Sequence, residues 1–242
     1  MGKCALILAP HPDDESIIGL LPLRLQEECG FQVWVVPATL GSREDRKAER
    51  RKELDRACAR LGFQLRMLKR VDFLDGQTKE LSDLLKAIRP AVVFMPHAKD
   101  GHPTHRATHR LGVAAMDAEK LRTFHVVETE YWHSLEHPNL MVAADSKQLA
   151  KLGRALACHQ GEIARNDYAA RLPAWMVDNV RRGAELVGGA GAAAPSFAYA
   201  TLYRARKRVA GKWATEFRGG RIVESSEDLG ALAAVWGASR GR

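Results

Sequence analysis

The feature that most constrains the fold is an apolar segment near the start of the chain that ends abruptly in polar residues. The run Cys4–Pro10 predicts a strand over Lys3–Leu8, and its nearly continuous apolar character is typical of a strand buried on both faces. The residues that follow are His11-Pro12-Asp13-Asp14-Glu15. Packing does not call for an imidazole beside adjacent carboxylates, so this segment indicates a functional site at the end of a buried strand.

A second segment of the same kind lies further along the chain. Ala91–Met95 is apolar, and it leads to Asp100-Gly101-His102-Pro103-Thr104-His105. Histidine nitrogens and carboxylate oxygens are common ligands of a catalytic zinc. Two buried strands, each followed by such residues, therefore predict a mononuclear metal hydrolase.

The chain as a whole alternates short apolar runs with longer stretches of helical periodicity, which is the pattern of parallel βαβ units. Further predicted strands are Gln32–Ala38, Gln64–Leu68, Thr123–Glu128 and Phe197–Tyr203. The predicted helices are Ile17–Glu28, Asp45–Leu61, Leu81–Ile88 and Ser146–Ala157, with Ser146 as an N-cap and with Gly30 and Gly62 as C-terminal caps of the first two. The predicted fold is α/β, with a Rossmann-like, doubly wound and mostly parallel sheet.

In a doubly wound sheet the strand order reverses beside the first strand, and the fourth strand lies on its other side. Ligands bind at the carboxyl ends of these two strands. The loops that begin at Pro10 and Pro96 should therefore face each other, which makes one site of the two polar segments. The first turn has carboxylates where a nucleotide-binding protein has a glycine-rich phosphate loop, so nucleotide binding is disfavoured.

The second polar segment should also begin a helix. Pro103 suits the first position of a helix that starts near His102. His105 then shares a face with both His102 and His109, so a metal site could use either pair. We favour His102, because the first helical turn lies nearest the carboxyl edge of the sheet, and we interpret His109 as a packing or surface histidine. Of the two neighbouring aspartates, one can ligate the metal while the other takes a proton from the water that the metal activates.

These residues resemble the motifs of a known family. His11-Pro12-Asp13-Asp14-Glu15 and His102-Pro103-Thr104-His105 are similar to the motifs of the LmbE-like, or PIG-L-type, zinc-dependent N-acetylglucosaminyl deacetylases. The resemblance runs from about residue 3 to residue 160, with softer matches at Arg50-x-x-Glu53, Asp75-Gly76, Tyr131-Trp132 and Ala155-Leu156-x-x-His159.

The resemblance implies a role for each motif residue. It implies His11, Asp14 and His105 as metal ligands, Asp13 as general base, and His102 as the group that stabilises the oxyanion or protonates the leaving amine. It also implies Arg50 and Asp75 as substrate contacts. The implied cofactor is Zn²⁺, and an open site of this kind accepts Fe²⁺ or Co²⁺ as well. The implied reaction removes acetate from an N-acetylated amino sugar in a GlcNAc-type glycoconjugate.

The sequence departs from the family at Thr104, where the family usually has aspartate. Because threonine carries no charge, we expect the pKa of His102 to be lower than in the relatives, with Asp100 as a candidate replacement. The softer positions have plain structural interpretations too. Arg50 and Glu53 fit a charged pair on a solvated helix, Asp75 fits an ordinary turn, and His159 fits a capping or packing role.

Two other functions remain open at this point. One is an amidase that acts on a different amide, such as a thiol conjugate, because the residues that would choose the substrate lie in loops that the sequence does not resolve. The other is a non-catalytic metal-binding protein. Structural zinc prefers four closed ligands, commonly cysteine, whereas Cys4, Cys29, Cys58 and Cys158 are widely spaced. We interpret them as reduced thiols of a cytoplasmic protein.

The net charge of +8 is concentrated in two segments. Residues 43–70 also carry many acidic side chains and predict a mixed-charge solvated helix. Residues 204–221 are more uniformly basic, which suits an anionic substrate, a membrane surface, a nucleic acid or simply a basic surface. We favour the basic surface and expect no nucleic-acid partner.

The organisation of the chain is predicted to be simple. Residues 1–242 should form a single domain with a core over 3–203, followed by a basic extension, 204–242, without a predicted structure. No apolar run is long enough to span a bilayer. The expected partner is a small N-acetylated sugar, and the sequence leaves open whether the chain forms a homo-oligomer.

Overall fold

The computed structural model describes residues 3–69, 76–119 and 122–237, which are built around one sheet. Its strands are β1 (Cys4–Ala9), β2 (Gln32–Pro37), β3 (Gln64–Leu65), β4 (Val92–Pro96), β5 (Phe124–Thr129), β6 (Leu140–Ala144), β7 (Tyr199–Val209), β8 (Lys212–Thr215) and β9 (Arg221–Val223). Their order is β3-β2-β1-β4-β5-β7-β6-β9, and β8 pairs with β7.

Helices connect the strands and cover the sheet. They are α1 (Asp14–Ile17), α2 (Leu20–Cys29), α3 (Lys47–Leu61), α4 (Thr78–Ile88), α5 (Pro103–Asp117), α6 (Ser146–Leu156), α7 (Gln160–Arg165), α8 (Tyr168–Leu186) and α9 (Gly230–Gly237), and a short 3-10 turn over Glu44–Arg46 leads into α3. None of the described helices combines the length and apolar character needed to cross a bilayer.

The predicted α/β fold with a doubly wound sheet is confirmed. β1 is parallel to β2 on one side and to β4 on the other, so the strand order reverses beside β1. Side chains of β1 alternate between two cores, as the period of a strand requires. Ala5 and Ile7 belong to one buried cluster together with residues of α2 and α3, whereas Leu6 and Leu8 belong to another, with residues of α4 and α5.

The prediction of one helix over Ile17–Glu28 is wrong at its start, because the chain forms two helices there. Pro22 lies near the start of α2, and its ring is incompatible with a helical carbonyl four residues earlier, at Ile18. The chain therefore breaks between α1 and α2. The freed Ile18 carbonyl accepts a hydrogen bond from the Tyr203 hydroxyl (2.9 Å), and the same hydroxyl accepts one from the Leu21 amide (3.1 Å).

Other predicted boundaries shift by small amounts for local reasons. Gly30 and Gly62 are left-handed C-caps, as predicted. The N-cap of α6 is Asp145 rather than Ser146, because Asp145 and Gln148 form a reciprocal capping box. The strand predicted over Phe197–Tyr203 begins at Tyr199 and is longer than predicted.

Part of the predicted basic extension, residues 204–237, has regular structure. It contains the end of β7, strands β8 and β9, and helix α9. Arg24, fully buried on α2, donates hydrogen bonds to the carbonyls of Glu224 and Glu227 at 3.0 and 2.8 Å, which fastens this segment to the core. Sequence patterns did not reveal this anchor, because a buried arginine has no periodic signature.

The basic side chains of this segment are engaged in intramolecular contacts. Arg206 pairs with Glu128 at 3.3 Å, and Arg208 pairs with Asp117 at 2.6 Å. Both guanidinium groups also lie against the ring of Trp213. Arg206 and Arg208 are therefore engaged within the fold. Away from this segment, Cys29, Cys58 and Cys158 carry free thiols.

The Tyr203 hydroxyl gives a test of this architecture. Tyr203→Phe should lower the free energy of unfolding by about 1–3 kcal/mol, because it leaves the buried Ile18 carbonyl and Leu21 amide without their partner. Urea unfolding measures this effect, and Tyr199→Phe at the half-buried start of the same strand is the matched control. Equal small losses in both variants would show that the Tyr203 hydrogen bonds do not stabilise the α1–α2 junction.

Candidate metal centre

The first wall of the site is the turn between β1 and α1. Asp13 has φ 120° and ψ −31°, a conformation that is unfavourable for any residue other than glycine. Three hydrogen bonds hold the turn. The Asp13 amide donates to Glu15 Oε2 (2.9 Å), the Asp13 carbonyl accepts from the Ser16 amide (3.0 Å), and the Pro12 carbonyl accepts from Arg50 Nη2 (3.0 Å). The strained turn directs the Asp13 and Asp14 side chains into the crevice between β1 and β4.

The second wall is the start of α5. Pro103 is the first residue of the helix and His102 is its N-cap, as predicted. The His102 ring caps the helix itself, because Nδ1 accepts a hydrogen bond from the Thr104 amide at 3.2 Å. An Nδ1 that accepts from an amide carries no proton, so the proton of the neutral ring is on Nε2.

Asp14 joins the two walls. Its Oδ2 lies 3.6 Å from His11 Nδ1 and 3.6 Å from His105 Nε2. The same oxygen accepts a hydrogen bond from the His11 backbone amide at 2.8 Å. His105 is held from behind by Asp100, whose Oδ2 lies 3.3 Å from His105 Nδ1. Asp100 therefore braces the ring of His105 and not that of His102. From His102 it accepts a hydrogen bond of the backbone amide instead (2.8 Å).

The donor atoms of this cluster fit a metal ion. Ring nitrogens of His11, His102 and His105 lie within 4.8 Å of one another. His105 Nε2 is buried and makes no hydrogen bond among the described residues, although it faces Asp14. Ligand atoms bound to one zinc at about 2.0–2.1 Å lie roughly 3.4 Å apart in a tetrahedral site, which is close to the separations around Asp14. An orphaned nitrogen beside a carboxylate and neighbouring imidazoles offers the donor types that a catalytic metal uses.

The charges in the cluster influence one another. Burial alone would raise the pKa of Asp14, but the charge of His105 and the hydrogen bonds of His11 lower it to about 2. Burial would lower the pKa of His105, yet Asp14 and Asp100 raise it. The pKa of His102 is lowered by burial and by the neighbouring histidines. Asp14 is therefore held as a carboxylate beside the imidazoles.

Asp13 has a different environment from Asp14. Burial and the adjacent Asp14 charge raise its pKa well above the ordinary value for aspartate, although His159 and Arg50 oppose the shift. Behind it, Glu15 and His159 form a fully buried pair, with 2.9 Å between Glu15 Oε1 and His159 Nε2. Glu15 thus connects His159 to the amide of Asp13, and it braces the turn.

An open cavity of roughly 930 Å³ lies in front of the cluster. Its floor contains His11, Asp13, Asp14 and His102. Aromatic, polar and charged side chains line the rest of the cavity. These residues include Thr39, Gly41, Ser42, Arg43, Arg46, Lys47, Arg50, Thr104, Tyr131, Trp132, Glu162, Arg165 and Tyr168. The size is at the upper end of the range for small-molecule sites, about 300–1,000 Å³.

The structure brings most of the sequence-predicted site residues together. His11, Asp13, Asp14, His102 and His105 meet at the carboxyl ends of β1 and β4, and Arg50 lies beside them on α3. Asp75 lies outside the described residues. His109 belongs to a separate contact, where Nδ1 lies 2.9 Å from the Pro96 carbonyl and the ring stacks on Trp213, which agrees with a packing role.

The sequence interpretation missed the basic wall of the cavity. Arg43, Arg46 and Lys47 were assigned to a solvated helix, but they line the cavity. A topological signal was available, because α3 follows β2 and its first turn must therefore start near the carboxyl edge of the sheet. Arg165 and Tyr168 gave no such signal, since they lie in a part of the chain whose connections the sequence does not reveal.

The fold and the site together define an α/β protein with a candidate metal centre at the carboxyl edge of its sheet. Residues 6–116 match the PIG-L family model, described as GlcNAc-PI de-N-acetylase. This part of the chain is therefore similar to the PIG-L family, as its motifs predicted.

Individual proteins show the same relationship. The chain is 29% identical over 150 residues to a probable N-acetyl-alpha-D-glucosaminyl L-malate deacetylase 2 from Bacillus cereus. The match covers 52% of this chain and 68% of the relative. Its fold is similar to that of N,N'-diacetylchitobiose deacetylase from Pyrococcus horikoshii, with a TM-score of 0.64 and 19% identity over 84% of each chain. It is also similar to the 4-carboxy-2-hydroxymuconate hydratase GalB from Pseudomonas putida, with a TM-score of 0.65 and 19% identity over 84% of this chain and 95% of that one. The fold therefore occurs in proteins with more than one chemistry, so the activity of this chain has to be inferred from its site.

Metal analysis tests the cluster directly. Protein purified without chelator should hold about one metal ion per chain by mass spectrometry, and Asp14→Ala should lose it, because Asp14 faces both His11 and His105. His109→Gln on α5, the helix that carries His105, is the control and should keep the metal. Stoichiometric metal in Asp14→Ala, or loss of metal in the His109 variant, would contradict this ligand assignment.

Proposed function

We propose that this protein is a metal-dependent hydrolase that removes the acetyl group from an N-acetylated amino sugar in a GlcNAc-type glycoconjugate. The observation that carries the proposal is the pairing of a metal-competent cluster with a second carboxylate, Asp13, at the floor of an open cavity. The PIG-L family description and the deacetylase names of the Bacillus and Pyrococcus proteins support this choice of substrate. The reaction consumes one water and yields acetate and a free amine.

His11, Asp14 and His105 are the residues that we propose as metal ligands. His105 supplies a buried nitrogen without another partner, and Asp14 lies between the two imidazoles. A bound Zn²⁺ lowers the pKa of water to about 7 and polarises a carbonyl oxygen. The same ligand types also accept Fe²⁺ or Co²⁺.

Asp13 is the proposed general base. It lies next to Asp14 in sequence, but the turn at φ 120° separates its direction from that of its neighbour. Its carboxylate lines the cavity, so it can accept a proton from the attacking water and hold it for the amine that leaves. Arg50 fixes the turn through the Pro12 carbonyl, and we propose that its cavity-facing side also contacts the sugar.

His102 is the proposed donor to the oxyanion. Its Nδ1 accepts a hydrogen bond from the Thr104 amide, so the proton of the neutral ring is on Nε2. A fixed N–H donor stabilises the negative charge that develops on the amide oxygen. This tautomer favours His102 as a hydrogen-bond donor over its use as a metal ligand, even though its ring lies close to His11 and His105.

The alternatives differ in what the cavity walls select. An amidase acting on another amide would use the same floor, and only the walls would differ. A non-catalytic metal protein has no need for the strained Asp13 turn or for an open cavity in front of the metal ligands. The proposed partner is therefore a small N-acetylated sugar. The proposed cytoplasmic location rests on the free thiols of Cys29, Cys58 and Cys158.

Replacement of Asp13 tests the proposed base. Asp13→Asn should retain the metal but lower the rate of acetate release from N-acetylglucosamine derivatives by about 10²-fold or more, because the amide cannot accept the proton. Asp55→Asn, an exposed position on α3, is the control for the chemical change and should leave turnover unaltered. Full turnover in Asp13→Asn would mean that another group accepts the proton.

Replacement of Glu15 tests the bracing of Asp13. Glu15→Ala removes the acceptor for the Asp13 amide and should lower kcat by about 10- to 100-fold while KM changes little. Glu15→Gln keeps a carbonyl acceptor and should recover most of the lost kcat. If both variants lose activity and metal equally, Glu15 supports the whole fold rather than the direction of Asp13.

A further inference from the structure

The outer part of the cavity is strongly basic. Five cationic side chains line it, namely Arg43, Arg46, Lys47, Arg50 and Arg165. Three carboxylates line the same cavity, but Asp13 and Asp14 belong to the candidate metal centre on its floor. Glu162 is the single acidic side chain among the described lining residues outside the floor, and Arg50 and Arg165 share it. The walls above the metal centre therefore carry a large excess of positive charge.

These cations extend from the rim to the floor. The exposed fractions of their side chains are 73% for Arg43, 71% for Arg165, 31% for Arg46, 22% for Lys47 and 12% for Arg50. Arg43 and Arg165 therefore lie at the mouth, Arg46 and Lys47 lie deeper, and Arg50 reaches the turn of Asp13. A ligand that enters the cavity passes positive charge at every depth.

The acidic partners of Arg43 and Lys47 do not cancel this charge inside the cavity. Arg43 pairs with Asp45 and Lys47 pairs with Glu44, both at 2.5 Å. Asp45 and Glu44 are exposed and are not among the residues that line the cavity. Ion pairs between exposed side chains contribute little and yield readily to a better partner. Arg43 and Lys47 thus remain able to bind an anion, whereas Arg165 has its partner, Glu162, inside the cavity.

Arg46 and Arg50 each lie against a glycine, in space that the side chain of another residue would occupy. A Cβ at Gly161 would lie 1.6 Å from Arg46 Nη2, and a Cβ at Gly41 would lie 2.3 Å from Arg50 Nη1. Arg46 Nη2 also contacts Glu53 Oε1 at 3.3 Å, and Glu53 is buried. A side chain at either glycine would force the guanidinium to move. The hydrogen bonds of Arg46 to Glu53 and of Arg50 to the Pro12 carbonyl hold the two groups at the cavity wall.

Amide hydrolysis does not account for the basic wall. The acetamido group is neutral, and the acetate that it yields forms on the floor beside the candidate metal centre rather than at the outer walls. The amine product becomes a cation, which positive walls disfavour. The cavity is also large enough for more than the reacting sugar. The positive charge therefore corresponds to a different part of the ligand.

We propose that the outer cavity is an anion subsite, formed by Arg43, Arg46, Lys47 and Arg165, which binds a carboxylate or phosphate on the group attached to the amino sugar. This inference rests on the proposed function, because it assigns the second half of the same substrate. Arginine binds both kinds of anion through two parallel N–H groups. The uncharged sugar then occupies the floor, and the anion holds the far end of the substrate.

The test compares three substrates in the metal-loaded enzyme. They are the methyl glycoside of N-acetylglucosamine, which is neutral, its carboxymethyl glycoside, and N-acetylglucosamine 1-phosphate. Acetate release should give a kcat/KM at least about tenfold higher for one or both anionic substrates, and the gain should shrink as salt rises from 0.05 M to 0.5 M. The two anionic arms distinguish a carboxylate from a phosphate.

Two charge variants localise the effect. Arg43→Gln/Lys47→Gln/Arg165→Gln spares Arg46, which contacts buried Glu53, and Arg50, which holds the Asp13 turn. It should lose about tenfold in kcat/KM on the preferred anionic substrate and little on the neutral one. The control, Arg51→Gln/Lys52→Gln/Arg56→Gln, removes three equally ion-paired cations from α3 that do not line the cavity, and it should keep the preference.

The outcomes separate this inference from the proposed function. Equal kcat/KM for neutral and anionic substrates, or equal losses in the two triple variants, would overturn the anion subsite while the deacetylase proposal stands. If the enzyme hydrolyses none of the three substrates, binding still tests the anion subsite. Calorimetric titration of the wild type then compares N-acetylglucosamine 1-phosphate with the methyl glycoside. Tighter binding of the phosphate, lost in the cavity variant alone, supports the subsite, and equal binding overturns it.

Discussion

The parallel pairing of β1 with β2 on one side and β4 on the other is the constraint on which the site depends. Ala5 pairs with Val92 and Ile7 with Phe94, so β1 and β4 end at the same edge of the sheet. Each strand is followed directly by a polar turn. Because the two turns are fixed by the register of buried strands, residues far apart in sequence meet with little freedom to separate. His11, Asp14 and His105 owe their proximity to this register.

Sequence patterns were sufficient for the central part of this arrangement. Continuous apolar runs identified β1 and β4, and the crossover rule placed them side by side. The motif residues then followed, since they stand immediately after those strands. Pro103 also identified the start of α5 correctly. What these successes share is that each depends on local composition or on a general rule of α/β topology.

The features that the sequence did not reveal depend on contacts between distant residues. Pro22 carries a signal for a helix break, but the compensating bond from Tyr203 does not follow from any local pattern. The positive φ of Asp13 is stabilised by Glu15, Arg50 and, behind them, His159. The role of a basic residue is equally a matter of position. Arg206 and Arg208 pair with Glu128 and Asp117, whereas the mixed-charge segment that includes Arg46 and Lys47 lines the cavity.

The distribution of charge explains why these parts occur together. Buried carboxylates are costly unless positive charge or hydrogen bonds compensate them. His11 and His105 compensate Asp14, and His159 compensates Glu15, whereas Asp13 retains a raised pKa because burial and Asp14 outweigh Arg50 and His159. A divalent metal ion bound at the candidate centre would supply the positive charge that this corner lacks. The arginines and Lys47 stand further out, where they cannot replace the metal but can bind an anion. The floor and the walls therefore favour opposite charges, and a ligand that is neutral at one end and anionic at the other satisfies both.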